Sequence, residues 1–197
     1  FVEKLALSEK SIAFTLTNNG KEIVKTSGSG NMLKVIHEIY GANISSNMLE
    51  IKNSNNDFTI YGYACKPHIL KSTKNHMITF INNRVIKNYD INEAINDAYY
   101  TYKPEGKFPV VVLNIETDPT VVDVNIHPTK AEVKFNDERM IFKKIFGAVH
   151  NALKNEVFET FAIKEEAETI KPATVPSFEE ITFKIKEEEE KVKFANS

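Results

Sequence analysis

Val110-Val-Val-Leu-Asn-Ile115 decides the fold. Side chains alternate across an extended chain, and here both faces are apolar. A short run of that kind belongs in the middle of a sheet rather than at its edge. Upstream, Ile91, Ala94, Ile95, Ala98 and Tyr102 recur at helical spacing, which predicts a helix over 90–102 capped by Asn88 or Asp90. Before it, residues 77–81 and 84–86 read as a strand pair around Asn82-Asn83, and residues 48–51 and 58–64 as another around 53–56. Residues 1–8 read as a helix. Residues 11–16 alternate with Ile12, Phe14 and Leu16 on one face, and 21–25 return as their partner across Asn18-Asn-Gly20, a hairpin signal. A helix over 31–40 follows, with Leu33, Ile36 and Tyr40 on one face and Gly41 as its stop. Downstream, Asp118-Pro119 marks a turn, and Ile141, Ile145, Val149 and Leu153 set the register of a long helix from 138 or 139 to about Phe158. The expected class is α+β, a mixed β-sheet with helices packed on one face.

The chain has 197 residues, 42% of them hydrophobic, enough for one domain and a tail. Its longest apolar run, at 109–113, is far short of the roughly 20 residues that span a bilayer, and no secretory leader is visible. A membrane is therefore not an expected partner. The lone Cys65 excludes an internal disulfide and a CxxC metal site, and it fits a reducing compartment such as the cytoplasm. The net charge of −2 conceals an asymmetry: residues 1–157 hold 19 Lys+Arg against 17 Asp+Glu, and 158–197 hold 6 against 10. With Pro172, Pro176, the acidic run at 187–190 and little periodicity, 158–197 reads as an acidic, largely disordered linker behind a domain at 1–157. Phe178, Ile181 and Phe183 leave room for a short strand there. The opening Phe1-Val-Glu-Lys4 lacks a methionine, so the chain is expected to be an excerpt of a longer protein.

The chemistry concentrates in Val121-Val-Asp-Val-Asn-Ile-His-Pro-Thr-Lys-Ala-Glu-Val-Lys-Phe135. Val122, Val124 and Ile126 share one face of a strand, and Asp123, Asn125 and His127 the other. Pro128 ends the ladder. Thr129 and Lys130 then sit on a turn before 131–135 resumes the alternation with Val133 and Phe135 inward. A polar face leading to a loop lysine suits a site that meets a ligand.

This stretch resembles the D-V-N-(V/I)-H-P-x-K-x-E-V-(R/K)-F signature of the MutL family of DNA mismatch repair proteins. Phe80-Ile-Asn-Asn-Arg-Val-Ile-Lys87 is similar to that family's F-V-N-x-R-x-(V/I)-(R/K) segment, with Asn83 where glycine is common. The resemblance covers about residues 1–157. It implies the second, transducer-like domain of the N-terminal ATPase half, a ribosomal-protein-like fold with a left-handed βαβ crossover. It implies that Lys130 reaches the γ-phosphate of ATP held by the preceding domain, completing that ATP site and coupling nucleotide state to domain orientation. ATP and Mg2+ would belong to the parent, a weak ATPase of the GHKL type, with neither bound by this fragment alone. The implied partners are DNA, a MutS-type mismatch recognition protein and downstream repair enzymes, with the parent a homodimer in the bacterial cytoplasm, associated with the nucleoid. The ATPase motifs themselves (a Glu/Asn helix, then D-x-G-x-G) and the metal-binding endonuclease motif of some MutL C-terminal domains do not occur in this sequence.

Asp123, Asn125 and His127 could suggest a metal site, but an i, i+2, i+4 row spans about 13 Å on a strand, too long for one ion. These three and Pro128 read as residues that shape the Lys130 loop, with no metal bound. Gly28-Ser-Gly30 before a helix lacks the rest of a phosphate-loop motif and reads as a flexible turn. Between 66 and 107 the chain carries Lys66, Lys71, Lys74, Arg84, Lys87, Lys103 and Lys107 against four acidic residues, with Tyr89, Tyr99, Tyr100 and Tyr102 interleaved. Either this is a solvated, mildly basic face, or it holds a nucleic-acid backbone by releasing counterions. The family has a basic groove near the N-x-R segment, so the resemblance makes Arg84, Lys87, Lys103 and Lys107 candidate DNA contacts; Tyr89 stands where some relatives carry arginine. With two arginines in the chain, backbone contact is expected over base readout. Other readings are a transducer domain of a type II topoisomerase, a stand-alone nucleic-acid-binding module, and a hydrolase built on Asp123 and His127.

Overall fold

The central strand expected at 110–115 is observed at Val111–Thr117, with hydrogen-bonded neighbours on both sides. The computed structural model describes residues 1–55, 57–119, 122–123, 134–135 and 138–169, giving backbone alone for 122–123, 134–135, 138 and 157–169. In chain order the elements are α1 (Val2–Ser8), β1 (Thr15–Asn18), β2 (Lys21–Lys25), α2 (Met32–Tyr40), α3 (Ala42–Ser45), β3 (Met48–Ser54) and β4 (Phe58–Cys65). Then come β5 (Leu70–Lys71), a 3-10 turn at Lys74–His76, β6 (Met77–Ile81), β7 (Arg84–Ile86), α4 (Tyr89–Ala98) and a second 3-10 turn at Tyr100–Tyr102. The last are β8 (Phe108–Pro109), β9 (Val111–Thr117), β10 (Val122–Asp123), β11 (Lys134–Phe135) and α5 (Glu138–Thr169). One compact unit runs Phe1–Glu159; a second, Thr160–Ser197, is described only as far as Thr169.

The main sheet has the order β3-β4-β9-β6-β7. All its pairings are antiparallel except β6 with β9, which run parallel. The sheet is therefore mixed, as expected, and the chain between the two parallel strands contains α4, as a βαβ crossover requires. Short pairs β1–β2, β5–β8 and β10–β11 stand beside it.

The alternation along β9 sets the layers. Val111, Leu113 and Ile115 join Ile51, Phe58, Ile60, Met77 and Ile81 against α4 and α5. Val110 and Val112 join Cys65, Ile78 and Phe80 against α1, α2 and α3. Helices thus cover both faces, which corrects the expectation of helices on one face. The reason lies in β9 itself: a strand apolar on both sides loses roughly 1.5–3 kcal/mol for each large side chain left in water, so both layers must be roofed.

Several local boundaries also differ from the sequence reading. The buried stripe of α2 is Met32, Val35 and Ile36, with Ile39 and Tyr40 partly buried; Leu33 lies one step round the helix and is only half-buried. β1 begins at Thr15 rather than 11, and Ile12 and Leu16 stay exposed because β1 pairs with β2 alone. α4 stops at Ala98; Tyr99, read as part of an aromatic-basic surface, is wholly buried and donates its hydroxyl hydrogen bond to the Cys65 carbonyl. α5 buries Ile141, Ile145, Val149 and Leu153 as expected but runs past Phe158 to Thr169. Residues 159–169 carry Ala, Glu, Lys and Ile, so helix propensity continues where the apolar register ends. Lys66 and Glu156 form an ion pair at 2.5 Å that ties α5 to the end of β4. At Gly62 (φ +148°) a Cβ would lie 2.1 Å from the Val112 carbonyl oxygen, so only glycine lets β4 approach β9 there.

Candidate nucleic-acid interface

The Phe80–Lys87 motif forms the β6–β7 hairpin. Ile81 pairs with Arg84, leaving Asn82 and Asn83 as a two-residue turn, both with positive φ (47° and 64°). Asparagine tolerates that region better than other side-chain-bearing residues. The turn is tied to β9. The Asn82 amide donates to the Thr117 carbonyl at 2.9 Å, and the Thr117 N–H donates to the Asn82 side-chain oxygen at 3.0 Å. The Asn114 amide donates to Asn83 Oδ1 at 2.8 Å and to the Tyr61 hydroxyl at 2.5 Å. The Tyr61 hydroxyl in turn donates to Glu116 at 2.8 Å. Asn114 is 1% exposed, so this network satisfies a polar group in the sheet centre. Burial raises the Tyr61 pKa above its ordinary value and Glu116 adds to the rise, with the Asn114 bond opposing. Beside the turn lies an open hollow of about 520 Å³, bounded by Asn55, Asp57, Asn83 and Glu116 among others. Its carboxylates give that hollow no cationic character. Asn114 was legible as the one polar residue in the Val110–Ile115 stretch, yet its partners were not.

The candidate cations fall into two groups. Arg84 is exposed at the asparagine turn. Lys87 lies past the other end of β7, about 10 Å along the chain. The β5–β8 pair, Lys71 opposite Phe108, brings the 70–72 and 107–109 segments together. There Lys103 Nζ stands 5.8 Å from the centre of the Phe108 ring and Lys74 Nζ 5.4 Å from it. Lys74 Nζ is also 5.8 Å from the Tyr89 ring, and Lys107 Nζ donates to the Ser72 hydroxyl at 3.4 Å. Lys103, Lys74, Phe108 and Tyr89 thus form one basic-aromatic cluster, and Lys107 stands by Ser72 at the end of the same strand pair. Lys66 is drawn away to Glu156. Lys74 belonged to the basic run in sequence, but its place between two rings depends on the β5–β8 pairing.

Of the signature strand, the backbones of Val122 and Asp123 pair antiparallel with Phe135 and Lys134. Asn125, His127, Pro128 and Lys130 lie outside the described residues, as does the Asp123 side chain. Among the described residues no group of three or more His, Cys, Asp or Glu could hold a metal ion, and no helix is long and apolar enough to cross a membrane. The Gly28-Ser-Gly30 turn is pinned, which corrects its reading as a flexible turn. A Cβ on Gly28 (φ +64°) would lie 2.6 Å from Ala13 N, and Gly30 N–H donates to the Lys10 carbonyl at 2.9 Å. Its backbone is thus packed on residues 11–13 rather than offered to a phosphate.

This architecture has solved counterparts. The N-terminal domain of a DNA repair protein superposes with a TM-score of 0.62 at 22% identity, over 79% of this chain and 52% of that one. The MutL ATPase domain of Aquifex aeolicus superposes with a TM-score of 0.50 at 20% identity, over 75% of this chain and 48% of that one. They define the fold class, an α+β, transducer-like mixed sheet. Residues 36–154 match the family described as DNA mismatch repair protein, C-terminal domain, and the chain belongs to that family. It is 55% identical over 196 residues to the DNA mismatch repair protein MutL of Clostridium beijerinckii and 52% identical over 194 residues to that of Clostridium botulinum. These alignments cover 100% and 98% of this chain and 29% of each relative, so the chain spans about three tenths of the curated relatives it matches.

Proposed function

We propose that this chain serves DNA mismatch repair as the second, transducer-like domain of a MutL-type ATPase half. In this reading residues 1–157 form the domain and those beyond it the connection to the rest of the protein. Lys130 completes an ATP site held by a preceding domain; its compact ammonium suits the γ-phosphate, whose charge is spread over several oxygens. ATP and Mg2+ bind to the parent, with neither held by this domain alone. Nucleotide state then biases domain orientation through that lysine. Arg84, Lys87, Lys103 and Lys107 hold the phosphate backbone of DNA. The parent works as a homodimer with a MutS-type mismatch recognition protein and downstream repair enzymes, in the cytoplasm at the nucleoid.

The observation that supports the reading best is the antiparallel pairing of Val122–Asp123 with Lys134–Phe135. It sets side by side the two ends of the segment that contains His127, Pro128 and Lys130, which lies within the span that matches the family. The test is ATP turnover by the full-length protein, wild type against Lys130→Ala, with and without duplex DNA. Loss of a preorganised phosphate contact lowers turnover roughly 100-fold. Unchanged turnover removes Lys130 from the nucleotide and leaves DNA binding as the role of the domain.

A further inference from the structure

The chain holds 7 glycines, and one of them, Gly20, follows an asparagine. Asn19 and Gly20 are the tip of the β1–β2 hairpin, between the paired Asn18 and Lys21. Both are exposed, and among the described residues no hydrogen bond holds the Asn19 side chain. Where a Cβ of Gly20 would stand, nothing lies within 4 Å. We propose that Asn19 is a site of spontaneous covalent modification, at which the Gly20 backbone nitrogen displaces the side-chain amide and leaves a mixture of aspartate and isoaspartate.

The chemistry needs an electrophile and a nucleophile on one short stretch of chain. The Gly20 nitrogen, having lost its proton to solvent, bonds to Asn19 Cγ and closes a succinimide ring. The Cγ–Nδ2 bond breaks, and the side-chain nitrogen takes a proton from water and leaves as ammonia. Water then opens the ring, adding its hydroxyl to a ring carbonyl carbon and returning a proton to the Gly20 nitrogen. Opening at Cγ gives aspartate; opening at the Asn19 main-chain carbonyl carbon gives isoaspartate, whose main chain runs through Cγ. Intramolecular closure of this kind carries a high effective concentration, and glycine presents no Cβ to obstruct it.

Closure also requires the 19–20 backbone to leave its turn conformation. β1 and β2 pair only with each other among the described strands, and their pairing shifts register between Leu16 and Thr17, so that excursion costs only a local opening. The other positive-φ asparagines, Asn82 and Asn83, precede residues that carry a Cβ and are bonded to β9 through their side chains, which withholds the same chemistry from them. The product puts a carboxylate beside Lys21, and its isoaspartate form lengthens the main chain by one carbon, which a two-residue turn cannot absorb.

The test incubates the full-length protein, wild type and Gly20→Ala, at mildly alkaline pH in heavy-oxygen water. Peptides are then mapped by mass spectrometry, and isoaspartate is detected by enzymatic carboxyl methylation. In the wild type the Asn19 peptide is expected to lose ammonia and take up heavy oxygen roughly 10-fold or more faster than the peptide carrying Asn82 and Asn83, with isoaspartate among the products. Gly20→Ala is expected to slow the reaction at Asn19 by a similar factor, although alanine strains the turn. Equal rates for the two wild-type peptides overturn the proposal, as do aspartate without isoaspartate or an unchanged rate in Gly20→Ala.

Discussion

Two hairpins in this chain use the same turn chemistry to different ends. Asn19 and Gly20 join β1 to β2 with φ of 49° and 75°; Asn82 and Asn83 join β6 to β7 with φ of 47° and 64°. Both are two-residue turns whose positive φ suits the twist of the strands. Around Gly20 nothing lies within 4 Å of where a Cβ would be, and β1 is exposed along its length. The Asn82-Asn83 turn is instead held to β9 by hydrogen bonds through both side chains. A local signal chooses the turn, and a strand some 30 residues away in sequence decides whether the turn becomes part of a rigid wall.

That difference can be broken by substitution. Asn82→Ala removes two hydrogen bonds with Thr117 and puts alanine at positive φ, so a loss of about 3 kcal/mol is expected in urea unfolding followed by circular dichroism. Asn114→Ala unties Asn83 from Tyr61 and leaves their polar groups short of a partner, at about 2 kcal/mol by the same measurement. Gly20→Ala meets no atoms and carries only the left-handed penalty, about 1 kcal/mol. If Gly20→Ala cost as much as Asn82→Ala, the contrast between the two hairpins would be wrong. Asn83→Gly should lie within about 0.5 kcal/mol of wild type, since relief of the positive φ offsets the lost bond to Asn114.

A pH titration sharpens the same contrast. Burial, with help from Glu116, raises the Tyr61 pKa, so the folded state favours the neutral phenol. Its contribution is fully present below the ordinary tyrosine value near pH 10 and is lost as pH rises through the higher folded value. Tyr99, also raised by burial, adds an alkaline loss of its own. The difference between wild type and Tyr61→Phe isolates the turn network: the gap should narrow above about pH 10, and a gap that widened there would reverse the assigned sign.

The elements were readable where short-range chemistry settles them. Asn88 caps α4 by accepting from Ile91 N–H, as read, and both asparagine turns fall where their dipeptides predict; Asn31, read as the first helical residue, is instead the cap of α2 and accepts from Lys34 N–H. The stripe Ile141, Ile145, Val149 and Leu153 is buried in α5 as its spacing requires. The errors share a cause. Leu33 was taken for the buried side of α2 because three spaced apolar residues can be drawn through it, yet the sheet lies against Met32, Val35 and Ile36. Tyr99 was counted with the exposed tyrosines because nothing nearby in sequence announces the Cys65 carbonyl, 34 residues back, that receives its hydroxyl.

The sequence by itself determined the turns, the α4 cap, the apolar registers of α4 and α5, the two-faced central strand and the two motifs that mark the family. Each of these depends on residues a few positions apart, where backbone geometry leaves few choices. Only the tertiary structure decided that β9 inserts between β4 and β6, that helices roof both faces, that Gly62 and Gly28 face close backbone, and that Lys74 joins Lys103 around Phe108 beside Tyr89. Those contacts join segments up to about 100 residues apart, and strand order and packing, which no local pattern encodes, bring them together.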